Sequence, residues 1–399
     1  SLLAGGAVIL LLSSGACSGD PEEEGVLVRD SAGVTVVERR APVWEEGEGW
    51  TVGPEAMLRI GKVGGEEAYQ FDGVTGMARL PDGSIAVADG GSQEIRFFRK
   101  DGTVREAFGG PGEGPGEFTG LSAMGLGPEA RVWAYDFMLR RLTWLDPSGA
   151  MVELNTLPPE PPMLNPVGPL PGGSFLLKQL WAAEAVAQAT EEGLRRDPVA
   201  VVTYSAQEET VDTLGLFPGR EVYITQEEGR GVMGTPLLGH NVVAAPWGDG
   251  VAVGTQDDFR ITRYGPEGEA SLEARIPGWD TTPMPRDLEA AMDARLANVS
   301  EEGRDAARRN IESMPTSPSK PAYGSLLADE TGHLWVSAWS TYSRVPASWI
   351  ILDPGGVWLG TVRTPERFYP YAIGEEWVLG LETDELDVEY VALYPLHRS

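Results

Sequence analysis

Cysteine is all but missing from this chain: Cys17 is the only one in 399 residues. A single thiol builds no disulfide framework, so buried apolar surface must hold the fold. Histidine is scarce too, with His240, His333 and His397 the full set. A zinc site wants clustered His or Cys, and these three fall in unrelated stretches. Positive charge is short as well. Lys and Arg total 31 against 60 Asp and Glu, a formal net charge of −29. Nucleic-acid phosphates need a basic surface, so DNA and RNA are excluded as partners. Direct docking on anionic lipid is disfavoured for the same reason. The acidity first serves solubility; its sharper reading is affinity for cations or basic partners. No GxSxG nucleophile elbow is present.

The one apolar run of note opens the sequence, SLLAGGAVILLLSSGACSGD. It ends in small residues ahead of Cys17, the pattern of a secretory signal rather than a membrane span. Ser14-Gly15-Ala16-Cys17 resembles a bacterial lipobox, which implies cleavage before Cys17, lipidation of its thiol and anchoring without a span. With no initiator Met or basic region ahead of it, the segment is expected to be the remainder of a longer leader. Ser18, rather than Asp, after the cysteine leans to the outer membrane. Residues 1–17 thus read as signal, and 18–48 as a tether with an outer hairpin, Val26–Val28 against Val34–Glu38.

What the chain does have is glycine and proline, 51 and 31 residues, and these punctuate short strands. From Phe71 to Phe118 four β-type segments, Val74–Leu80, Ser84–Ala88, Glu94–Arg99 and Thr103–Phe108, are each bounded by turn chemistry. A unit of this length is one propeller blade. Phe71 and Phe118, Asp89 and Asp136, and Ile95 and Leu142 are each 47 residues apart. That constant spacing is a repeat of propeller period. Fainter copies start around Leu170, Trp247, Asp329 and Glu375. The last runs out of chain before its fourth strand, and Ala56–Ile60 is a strand without a blade. The expected architecture is therefore an all-β, six-bladed propeller over residues 49–399, with an N-terminal strand closing the last blade and removing open edges.

Three insertions break the period: Gln179–Asp197, Gly219–Gly234 and Asp280–Pro321. Loops between second and third strands, and loops between blades, emerge on one face, so all three should crown the same side. The third insertion is helical. Leu288, Met292 and Leu296 recur at four-residue spacing over Pro285–Leu296, and a second helix is expected from Ser300 to about Ser313. Function tends to sit on loops held by a rigid scaffold, so this crowned face is the candidate binding face; alternatively the helices plug the disc.

Candidate residues gather near those loops. Asp89 and Asp136 close second strands and suit calcium or a sugar hydroxyl, or else cap their turns. Glu66, Glu67, Glu113 and Glu117 lie in parallel Gly-rich loops on the same face. Arg140, Lys178, Arg260 and Arg344 are basic residues in an acidic chain. Trp181, Trp339 and Tyr342 add aromatics, and the mixture suits a sugar, peptide or anionic small molecule. His240 is expected in the first strand of blade four, where it could face the tunnel, and His333 in a turn on the opposite face.

The phrase PDGSIAVADGGSQEIRFFRKDGTV, flanked by G-x-G-E-F-type loops, resembles NHL-repeat propellers over Ile60–Leu154. That resemblance implies an exported bacterial module that binds a partner. The family also holds lyases with metal-binding histidines, which find no matching positions here. The expectation is thus a lipid-anchored envelope propeller acting by binding, without a cofactor, on a small molecule, glycan or envelope protein. The alternatives are a metal-assisted lyase or hydrolase in the central tunnel, and a structural envelope subunit.

Overall fold

The computed structural model describes residues 25–182, 191–227, 230–297, 299–340 and 348–398. Residues 1–17, expected to be a signal, with Cys17 among them, and Tyr342 and Arg344 lie outside the described residues. Strands form six antiparallel four-stranded blades, as the repeat leads one to expect. Blade one comprises Val74–Arg79, Ile85–Asp89, Glu94–Phe98 and Val104–Gly109, within a residue or so of the segments read from the sequence. Blade two runs Leu121–Leu126, Val132–Asp136, Arg141–Leu145 and Met151–Thr156; blade three runs Leu164–Pro169, Phe175–Gln179, Pro198–Ser205 and Thr210–Pro218. Blade four comprises Val243–Trp247, Gly250–Gly254, Arg260–Tyr264 and Ala270–Arg275. Blade five comprises Leu326–Ala328, Leu334–Ser337, Ser348–Leu352 and Trp358–Arg363. Blade six has Phe368–Ile373, Trp377–Thr383 and Glu389–His397 of its own.

The fourth strand of blade six comes from the other end of the chain. Leu58–Ile60 pairs antiparallel with Glu389–His397, Ile60 facing Val391, and Thr51–Val52 extends the pairing opposite His397 and Leu396. The hairpin Leu27–Ser31 with Val34–Glu38 adds in parallel to Ala270–Arg275, covering the outer edge of blade four.

Why the blades stack is written in alternation. Strand side chains point to opposite faces in turn, and here each face meets a different neighbour. In Ile85–Asp89, Ile85 and Val87 pack towards blade six with Leu379 and Val391. Ala86 and Ala88 pack towards blade two with Val132 and Ala134. The same partition gives an apolar core between each adjacent pair around the ring. Both faces being buried, the second strands read as continuous apolar runs rather than alternating ones. At the axis the backbones come close: a Cβ on Gly76 would lie 2.5 Å from the Met124 amide nitrogen, so only glycine fits.

The face away from the insertions is made of tight turns of one design. Oδ1 of Asp82, Asp101, Asp146, Asp329 and Asp353 accepts the amide N–H two residues on. Gly83, Gly102 and Gly332 follow in the left-handed region that a side chain resists.

The helical insertion forms α1, Pro285–Leu296, and α2, Glu301–Ser313. Leu288, Met292 and Leu296 lie along one side of α1 and pack with Ile311 of α2 and with Leu237 and Leu238, in the segment between the preceding insertion and blade four.

Candidate ligand site

The first strands of all six blades line one axial cavity of about 750 Å³. These strands begin on the insertion face, so their early residues mark that mouth. Thr75, Asn165, Ser325 and Tyr369 sit there, with Lys178 paired across from Asn165. Arg79, Glu330 and Trp377 mark the far mouth. The wall between is largely aliphatic and aromatic, with Met77, Met124 and Trp133 in it.

Lys178 is the cation of the insertion-side mouth. Its Nζ donates to the Val242 carbonyl at 2.7 Å, bridging blades three and four. No carboxylate pairs with it among the described residues, and desolvation pushes its ammonium down to about 8. Close by, Ser325 Oγ and Tyr369 OH lie 2.8 Å apart, and Tyr371 OH donates to the Val74 carbonyl. Two further polar atoms of the lining, Thr75 Oγ1 and Trp133 Nε1, are buried without a hydrogen-bond partner. Buried polar groups are nearly always paired, so these two are open positions for a ligand or water. At the far mouth the Arg79 guanidinium lies 5.1 Å from the Trp377 ring. Burial raises the Glu330 carboxyl above its ordinary value, with Arg79 opposing the shift.

The residues singled out from the sequence separate into groups. Lys178 joins the tunnel. Trp339 joins a second groove of about 610 Å³ between α1 and blade five, with Trp279, Arg286 and Lys320. Asp89 and Asp136 are fully buried and turned inward. Asp89 accepts the Gly91 and Ser92 amides and meets the Arg96 guanidinium at 3.2 Å; Asp136 accepts the Thr119 and Leu139 amides. Both carboxylates hold turns, with no oxygen presented outward as a calcium ligand would require. Arg140, in a left-handed turn, donates to the Pro158 carbonyl. Arg260 is exposed and paired with Asp258, and Trp181 is half-buried.

The histidines stay apart. His333 Nδ1 lies 2.8 Å from Thr331 Oγ1, with its ring edge-on to Trp50, while His397 is exposed at the end of the last strand. His240 corrects an expectation. It precedes the first strand of blade four, which begins at Val243, and it is buried among Glu221, Ser317 and Ser319 rather than facing the tunnel. The insertion backbone, stitched by the Glu221 amide to the His240 carbonyl, holds it off the axis. Among the described residues no group of three or more His, Cys, Asp or Glu is placed to hold a metal ion. Asn165, Thr75 and Trp133 carried no sequence signal, because being next to Lys178 or facing the axis depends on the ring.

The insertions meet as one layer. Gly193–Arg195 of the first pairs with Val222–Glu227 of the second. The segment just after the second joins the third through Leu237 beside Thr316 and through Arg295 donating to the Pro236 carbonyl.

No protein-family model and no curated protein matches the sequence. Among solved structures, a DUF4221-family member from Bacteroides vulgatus is similar, with a TM-score of 0.54 and 10% identity over 88% of this chain and 99% of that one. A gluconolactonase from Xanthomonas campestris shows 12% identity, a TM-score of 0.44, and coverage of 87% and 100%. A virginiamycin B lyase from Staphylococcus aureus shows 12% identity, a TM-score of 0.41, and coverage of 80% and 94%. Identities this low speak to fold alone; the six blades around one axis make the class of protein an all-β propeller.

Proposed function

We propose that this propeller binds an anionic small molecule at the insertion-side mouth of its central tunnel. Lys178 carries this reading: a desolvated ammonium, unmatched by any described carboxylate, lines a cavity with open hydrogen-bonding positions. A carboxylate or phosphate would supply the missing charge, and the apolar wall would take the body of the ligand. In a chain of net charge −29, such a pocket also selects by local field against the overall repulsion.

Calorimetric titration with succinate, phosphate and glucose 6-phosphate tests it. At least one should bind below pH 8, and affinity should fall as pH rises through about 8, because only the charged ammonium attracts the anion. Lys178→Met should lower affinity at least about 10-fold, the equivalent of ~1.4 kcal/mol. Equal binding by wild type and variant would sink the assignment. Without ligand the sign is opposite: a lysine with a lowered native value favours the folded state increasingly as pH climbs from about 8 towards the unfolded value.

Delivery to the envelope belongs to the same proposal and rests on the lipobox around Cys17. Feeding an alkyne-tagged fatty acid to an expressing bacterium should label the protein, and Cys17→Ala should erase the label. A labelled Cys17→Ala variant would refute the anchor.

A further inference from the structure

His240 is buried against the insertion layer, and its side-chain contacts have a direction. Glu221 Oε2 lies 3.1 Å from His240 Nδ1. A carboxylate in that contact accepts, so the ring proton sits on Nδ1 and the Nε2 lone pair is free. Ser319 Oγ lies 3.3 Å from that Nε2. Glu221 is itself fixed, since the His240 amide donates to the same oxygen at 3.2 Å. Ser317, 3.2 Å from Nδ1, turns its hydroxyl to the carboxylate. Burial alone would raise the Glu221 carboxyl; the hydrogen bonds from His240 and Ser317 outweigh it and keep the group ionised. The His240 and Glu221 side chains are only 4% and 10% exposed, whereas Ser319 is less deeply buried. The base is thus shielded, and the serine lies on its outer side.

We propose that Ser319, His240 and Glu221 form a nucleophile, base and orienting carboxylate that cleave a small carboxylic ester by acyl transfer to Ser319. The roles follow from the contacts. Ser319 Oγ forms a bond to the ester carbonyl carbon while its proton passes to His240 Nε2. The resulting imidazolium faces Glu221, which is held negative for it. The ester C–O bond then breaks, and the leaving alkoxide takes the proton from Nε2. Water, giving its proton to Nε2, attacks the acyl-Ser319 bond, and that proton returns to Oγ as the carboxylic acid departs. Nothing beyond ester and water is consumed. The substrate class is read from the neighbouring groove. Lys320 and Pro321, directly after Ser319, line it together with Trp279 and Trp339, whose rings suit an apolar or aromatic acyl group, and with Asp280, Arg286 and Asp287 on its charged side. Sequence inspection misses this set because it has no GxSxG, and its members, Glu221 and Ser319 in two insertions and His240 in the segment before blade four, are spread over nearly a hundred residues. The inference stands independently of the tunnel.

The test is covalent. Native protein is treated with a fluorophosphonate–alkyne probe, which exchanges its fluoride for a serine oxygen, and the adduct is located by peptide mass spectrometry. The expected result is one adduct, on Ser319, absent in Ser319→Ala and formed at least about 100-fold more slowly in His240→Gln, the scale of a general base. Hydrolysis of p-nitrophenyl butyrate should fall in parallel. Because His240→Gln also loosens a buried network, the wild-type chain unfolded in urea serves as a second reference and should label at least about 100-fold more slowly than the native one. No adduct on Ser319, equal labelling of native and unfolded chain, or full labelling of a folded His240→Gln variant would each overturn the proposal.

Discussion

A chain beginning at Gly61 should not fold. It lacks Leu58–Ile60 and Thr51–Val52, so Glu389–His397 is left with an open edge and the ring with a gap. Two buried anchors go as well. Ile60 packs with Val391, Leu393, Val74 and Phe98 between blades six and one. Trp50 packs with Trp335 and Trp349 between blades five and six, under the Arg398 guanidinium 4.1 Å away. Losing a buried Trp costs about 3–5 kcal/mol and a buried Ile about 2–5. Their sum, roughly 5–10, is the size of a domain's whole stability. A chain beginning at Gly49 keeps both anchors and both closing strands; it loses the hairpin on blade four and Trp44, whose amide donates to the Leu359 carbonyl and whose ring lies 5.3 Å from Trp50, so it should be weakened but still unfold cooperatively. Urea denaturation followed by tryptophan fluorescence compares the two. A cooperative transition of unchanged midpoint for the Gly61 chain would show that the ring does not depend on its closing strands.

Asp329→Ala should cost about 3–5 kcal/mol, the penalty for stranding a buried ionic partner. The carboxylate of Asp329, with no exposed side-chain surface, accepts from the Thr331 and His333 amides and from Trp335 Nε1, and meets Arg398 Nη2 at 2.8 Å. The tie joins the first turn of blade five to the chain end beyond blade six, so it staples two blades as well as a turn. Burial alone would raise this carboxyl. Hydrogen bonds from His333, Trp335 and Thr331, with the charge of Arg398, outweigh burial and hold it far below the ordinary value. The native value being depressed, the stabilisation is complete above the unfolded value of about 4 and is lost as pH falls from there towards the native one. The gap between wild type and Asp329→Ala should thus be widest near neutral pH and shrink in acid. Equal gaps at pH 7 and pH 3 would mean that packing, not charge, explains the loss.

These effects sit at places of different legibility. The blades were legible because their cause is local. Turns need Asp and Gly at fixed offsets, and strands buried on both faces need continuous apolar runs such as IAVA and VWAY, so composition and spacing carry the period. Closure of the ring was legible by counting, since a blade short of one strand and a strand short of a blade occur at opposite ends of the chain. The two helices were legible from four-residue spacing over Pro285–Leu296 and from the helix-start signal at Ser300.

Proximity across the ring was not legible. Asp89 and Asp136 read from the sequence either as ligand residues or as turn caps, and the buried strand ends give their carboxylates backbone amides to accept. Lys178 looked like one basic residue among several. Its distinction is the largely apolar axial wall, which exists only once six first strands converge.

By itself the sequence determined the class of fold, the period, the position of the insertions and the acidic surface, because each depends on neighbours within a few residues or on simple counts. Only the tertiary structure decided that Thr75, Asn165 and Lys178 share one mouth, and that Glu221, His240 and Ser319 share one hydrogen-bonded chain. Those sets join residues from separate blades and insertions, and no local propensity encodes a distance that is fixed by how the blades close around an axis.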